Sequence, residues 1–143
     1  MCIRDSANIA LHEFLNQLKD KGSMINAVKL FAEAFAKSLP TGKINTFANQ
    51  TLPSILVINL RDDRPVSLVT AFEKPVRSEE GYIEGSVKKL AEEMTRVEKF
   101  VNKPVKTLYI AMDKVDISEG EELTTLDELL ERLGEEIENY QLS

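Results

Sequence analysis

Tryptophan is absent from this chain, and it has only one cysteine, Cys2, and one histidine, His12. A lone cysteine cannot close an internal disulfide, and one cysteine with one histidine cannot build a Cys/His zinc site. Any Ser-His-Asp or Cys-His arrangement would have to be built around His12, and the sequence offers no convincing partners for it. No apolar run approaches the roughly 20 residues of a membrane-spanning helix. The opening MCIRDSANIALH has no continuous apolar stretch of the kind a secretory signal needs. Together these absences predict a reducing, cytoplasmic setting without a membrane.

Familiar ligand loops are missing too. TGKINT, residues 41–46, lacks the two-glycine spacing of a nucleotide phosphate loop and follows a helix pattern instead of a strand. DKVDISEGEE, residues 113–122, is acidic but lacks the ligand order of a calcium-binding hand. Glu73, Glu79 and Glu80 form a carboxylate group that nothing in the sequence buries or orients. The expectation is a protein without catalytic activity, cofactor or metal.

What is present is one domain's length of soluble globular composition, 143 residues with 43% hydrophobic and 29% charged. The net charge of −6 argues at first against a nucleic-acid partner. Its distribution is uneven. Residues 113–143 carry eleven acids against Lys114 and Arg132, whereas residues 19–112 carry fifteen bases against eleven acids. A mildly basic body with an acidic helix at its end fits these numbers, and a basic face within the body is compatible with them.

Hydrophobic periodicity predicts the elements. ANIALHEF reads as the end of a strand running into a short helix. SMINAVKLFAEAFAKSL reads as a helix, with Ser23 as N-cap, an apolar stripe of Ala27, Leu30, Phe31, Ala34 and Phe35, and Pro40 as its stop. SILVINL and VKTLYIAM read as buried strands. VSLVTAFEKPV is open between strand and a short helical turn. SVKKLAEEMTRVEKFV places Val87, Leu90, Ala91, Met94, Val97 and Val101 on one helix face, with Lys88, Lys89, Glu92, Glu93, Arg96 and Lys99 on the other. TLDELLERLGEEIENY has a Thr125/Glu128 capping box and a stripe from Leu126 to Tyr140. The predicted class is α+β, with too few strands for the helices that must be covered.

One loop offers binding chemistry. LPTGKINTFANQ, residues 39–50, combines a helix stop, a glycine, a lysine and several side-chain donors. Such a loop suits phosphate and sugar contacts, and equally an ordinary solvated turn.

In their order and spacing, ANIALHEFLNQL, AKSLPTGKINTFANQTLPSILVINLRDDRPVSL, AFEKPV, GYIEGSVKKLAEEM and TLDELLERL resemble one family. It is the CasC family, backbone subunits of the type I-E CRISPR surveillance complex Cascade. AFEKPV, residues 71–76, is the most specific of these stretches. The resemblance implies a palm domain similar to an RNA-recognition motif, ferredoxin-like, of which this chain is the C-terminal part. Its sheet would be incomplete for want of the N-terminal half. It also implies a non-catalytic subunit in antiviral defence that holds guide RNA by its backbone. The implied partners are crRNA, target DNA, further copies in a filament and the other Cascade subunits.

Carried onto this sequence, the resemblance makes Lys43 the leading phosphate contact, with Thr41, Asn45, Thr46 and Asn49 beside it. It puts Lys74 and Arg77 at an interface with a neighbouring subunit or DNA, and Phe72 in packing. Two other readings stand beside it. One is a related RNA-processing endoribonuclease relying on His12; the other is a small protein-interaction domain that docks through its acidic C-terminal helix. MCIRDS back-translates as ATG TGT ATA AGA GAC AGC, which matches a transposon mosaic end used to tag DNA. The expectation is therefore that residues 1–6 are adapter-derived and that the palm fragment runs over 7–143.

Overall fold

The computed structural model describes residues 5–38, 52–79 and 81–140. In chain order these form α1 (Leu11–Leu18), α2 (Lys21–Lys37), β1 (Ile55–Leu60), a 3-10 helix (Val69–Phe72), α3 (Ile83–Val97), β2 (Lys106–Ala111), β3 (Glu121–Glu122) and α4 (Leu126–Asn139). The predicted α+β class is the observed one. The sheet has the order β1-β2-β3, so β1 lies at an edge with no strand beyond it among the described residues.

β1 and β2 pair antiparallel from Ile55 opposite Ala111 to Leu60 opposite Lys106. Period-two alternation sends Leu56, Ile58 and Leu60, with Leu108 and Ile110, to the face covered by α2 and α4. Met24 and Val28 of α2 meet Leu129, Leu133 and Ile137 of α4 above them, and this is the core. Gly134 allows α2 close to α4, since a Cβ there would stand 3.3 Å from Ile25 Cγ2. On the opposite face Thr107 donates to Asn59 across the strands at 2.8 Å. Beside them Tyr109 is buried, its hydroxyl on the Val115 carbonyl.

Several expectations are corrected. ANIAL forms no strand; residues 5–10 carry no regular element and the chain is helical from Leu11 to Leu18. Lys19, in the left-handed region at φ 55°, ends α1 and donates its N–H to Leu15. The next residue, Asp20, takes the N-cap role expected of Ser23. Its carboxylate accepts from the Ser23 N–H at 3.1 Å and the Ser23 hydroxyl at 2.6 Å, which lowers its pKa. The cap thus falls three residues earlier than periodicity placed it.

The α2 stripe is also rotated from the expected one. Met24, Val28 and Ala36 are buried, while Leu30 and Phe31 are exposed and Phe31 stacks on Phe35. Apolar residues run almost around this helix, so the packing partner decides which stripe goes inside. VSLVTAFEKPV resolves as the 3-10 helix, a single turn from Val69 to Phe72. β3 was not expected. It lies within the acidic stretch and pairs parallel to β2, Leu108 opposite Glu121.

Candidate nucleic-acid interface

The five residues expected at the RNA backbone, Thr41, Lys43, Asn45, Thr46 and Asn49, lie outside the described residues. α2 ends before them at Lys37 and β1 begins after them at Ile55. Lys74 and Arg77 are described, both exposed on the loop between the 3-10 helix and α3.

α3 fixes that loop in three ways. Thr70 Oγ1, in the 3-10 helix, donates to Glu93 Oε1 of α3 at 2.5 Å. The Lys89 ammonium donates to the main-chain carbonyl of Lys74. Val76 lies against Gly85 so closely that a Cβ there would sit 2.7 Å from Val76 Cγ1. Only a glycine allows this approach without displacing the loop. Pro75, between two of these ties, restricts the backbone further.

Sequence periodicity put Glu93 on the polar face of α3, yet it is 5% exposed. A buried carboxylate is costly unless paired. Here one oxygen takes the Thr70 hydroxyl and the other the Arg96 guanidinium at 3.2 Å. Arg96 keeps most of its side chain in solvent. A cleft of about 290 Å³ opens beside this arrangement, lined by Thr70, Glu73, Lys74, Lys89 and Glu92 among others.

Most basic side chains elsewhere are committed. Lys29 pairs with Glu131, Lys37 with Glu33, Lys103 with Glu119 and Lys106 with Glu121. Arg61 is absorbed by the RDDRP turn, where it binds Asp63 at 3.0 Å and reaches the carbonyls of Arg64 and Asn102. The Arg61 guanidinium holds the Asp63 carboxyl down at about 2. No ion pair holds Lys74, Arg77 or Lys88 among the described residues, and the same is true of Lys19, Arg64, Lys99 and Lys114. Lys88 and Lys89 stand three and four residues beyond Gly85, so they share the side of α3 on which the loop rests. Sequence reading placed both lysines on a solvated helix face; the Gly85 approach is the signal that links them to AFEKPV.

The acidic C-terminal helix is a core element. α4 buries Leu129, Leu130, Leu133 and Ile137, and Thr125 caps it as expected, accepting from the Glu128 N–H, while the Glu128 carboxylate accepts from the N–H of Thr124 instead of that of Thr125. Three of its six acids are in ion pairs: Glu131 with Lys29, and Glu135 and Glu136 with Arg132. Arg132 also reaches Glu121 at 3.1 Å, next to Lys106 at 2.7 Å. Hydrogen bonds from Lys106 and then Arg132 hold the Glu121 carboxyl below its ordinary value.

His12 is exposed on α1, 3.8 Å from Glu13. Among the described residues, no three His, Cys, Asp or Glu side chains gather where they could hold a metal ion. No described helix is long and apolar enough to cross a membrane.

A sheet covered on one face by helices, with the loop over residues 73–79 strapped to a neighbouring helix, defines an α+β protein. Residues 5–135 match the family model of the CT1975-like proteins, a CRISPR-associated (Cas) family, and the chain belongs to that family. It is similar to a chain of a CRISPR RNA-guided surveillance complex, with a TM-score of 0.82 and 26% identity, covering 90% of this chain and 50% of that one. It is equally similar to a chain of such a complex in a pre-nicking state, also at 0.82 and 26%, covering 90% of this chain and 39% of that one. The chain therefore spans half the length, or less, of the solved chains it matches. No curated protein matches it by sequence.

Proposed function

We propose that this chain is part of a non-catalytic, guide-RNA-binding backbone subunit of a type I-E Cascade complex, of the CasC kind, acting in antiviral defence in the cytoplasm. The observation that carries this reading is the match to surveillance-complex chains over 90% of the sequence, together with the Cas family match. Lys43, with Thr41, Asn45, Thr46 and Asn49, would hold crRNA phosphates. Lys74 and Arg77 would face a neighbouring subunit or target DNA, and the partners would be further copies in a filament and the other Cascade subunits. The uncommitted cations support contact with a nucleic-acid backbone, because such contacts position a strand without reading its sequence.

The test is fluorescence anisotropy of labelled single-stranded RNAs of unrelated sequence at about 50 and about 200 mM salt. The expected result is binding with little sequence preference that weakens steeply as salt rises. Binding indifferent to salt would defeat the reading.

A further inference from the structure

We propose that Glu93 is a positioning residue for nucleic-acid binding. Its buried carboxylate docks the 3-10 helix on α3 and thereby sets where Lys74 and Arg77 meet a phosphate backbone. This deepens the function proposed above and rests on its reading of the Lys74 loop as a nucleic-acid contact.

The chemistry of the site favours this role over simple packing. An apolar side chain would fill the space under the 3-10 helix without the desolvation cost of a carboxylate. A carboxylate adds direction: it captures a hydroxyl on a separate segment, Thr70 Oγ1, and is oriented in turn by Arg96. The Lys89 bond to the Lys74 carbonyl and the Val76 contact at Gly85 continue the same attachment along the loop. All three ties use a hydroxyl, a main-chain carbonyl or an apolar group of the loop, and none uses its charges. Lys74 and Arg77 are thus held from behind, with both cationic heads exposed and outside ion pairs. Ordering the loop in advance removes part of the entropy cost of binding.

The surface around the two cations is of mixed charge, with Glu73, Glu79 and Glu84 also exposed. Glu73 and Glu92 line the cleft beside Lys74 and Lys89, so an isolated phosphate gains little there.

The experiment measures labelled single-stranded RNA binding by the 143-residue chain at about 50 mM salt. The variants are Thr70→Val, Thr70→Ser, Glu93→Leu and the double variant Lys74→Ala/Arg77→Ala, each checked by thermal melting. Thr70→Val is close to isosteric at an exposed position, so it tests the tie even if Glu93→Leu does not fold. The expected result is a loss of affinity of about fivefold for Thr70→Val and Glu93→Leu, wild-type affinity for Thr70→Ser, and no further loss when Thr70→Val is added to the double variant. If the double variant binds weakly but Thr70→Val binds like wild type, the positioning role is wrong and the loop contact stands. If Thr70→Val costs as much in the double variant as in wild type, its effect is general destabilisation and the proposal is wrong. If RNA binds and the double variant loses nothing, Lys74 and Arg77 do not contact the bound strand, and this proposal falls.

Discussion

Gly120 lies against the ring of Tyr109, so close that a Cβ would stand 2.8 Å from Tyr109 Cε1 and 3.2 Å from the Ile117 carbonyl. The ring cannot retreat: Tyr109 is buried in β2 and its hydroxyl is tied to Val115. Gly120→Ala is expected to destabilise the fold by about 1–3 kcal/mol, the usual cost of overpacking a filled site. Urea denaturation would read this directly, and an unchanged midpoint would show that the 113–120 turn does not press on the sheet.

Leu129 and Leu30 both belong to apolar stripes in the sequence, yet the structure separates them. Leu129 is 0% exposed in the core and Leu30 is 66% exposed on α2. Leu129→Ala is expected to cost about 2–5 kcal/mol. Leu30→Ala should stay within about 0.5 kcal/mol. Chemical denaturation of the two variants checks the helix rotation; similar losses would mean that the α2 face is assigned wrongly.

Acid sensitivity should centre on Glu121 and Asp63. Both have carboxyl pKa values lowered in the folded state, Glu121 by Lys106 and Arg132, and Asp63 by Arg61 to about 2. A carboxyl with a depressed folded pKa adds stability above its unfolded value, about 4. That contribution is lost as pH falls through the folded value. The melting temperature should therefore drop between about pH 4 and about pH 2. Glu121→Gln should have a lower melting temperature at neutral pH and a shallower acid slope. A slope identical to wild type would remove Glu121 from the account.

Gly85→Ala tests the attachment of the AFEKPV loop. A methyl group there meets Val76 Cγ1 at 2.7 Å, and Val76 sits on a loop that can move away. Stability should change little, because the helix gains up to about 1 kcal/mol from replacing glycine. The loop should instead loosen, with trypsin cutting after Arg77 several times faster at the same global stability. Unaltered cleavage would show that the loop does not depend on this contact.

Much of the architecture was legible in the sequence because local patterns dominate it. SILVINL and VKTLYIAM are β-branched runs between turn signals, and both form strands. The Thr125/Glu128 box starts α4 where expected. The cap of α2 was legible only in part, since Asp20 and Ser23 are both competent caps and the left-handed turn at Lys19 selects Asp20. β3 gave no local signal: two glutamates become a strand only because β2 offers its edge beside them. Of the candidate site, the cations Lys74 and Arg77 could be read directly, but their attachment could not.

Composition and periodicity by themselves determined the α+β class and the helices and strands that bury apolar stripes. These follow from residue type and from spacing within a single element. Tertiary structure alone decided which face of α2 turns inward, that three of the six acids of α4 are spent on Lys29 and Arg132, and that Glu93 lies beneath Thr70. The physical reason is the same in each case. A side chain's cost or benefit depends on what another segment brings within a few ångströms, and for Glu93 that partner lies 23 residues away in the chain.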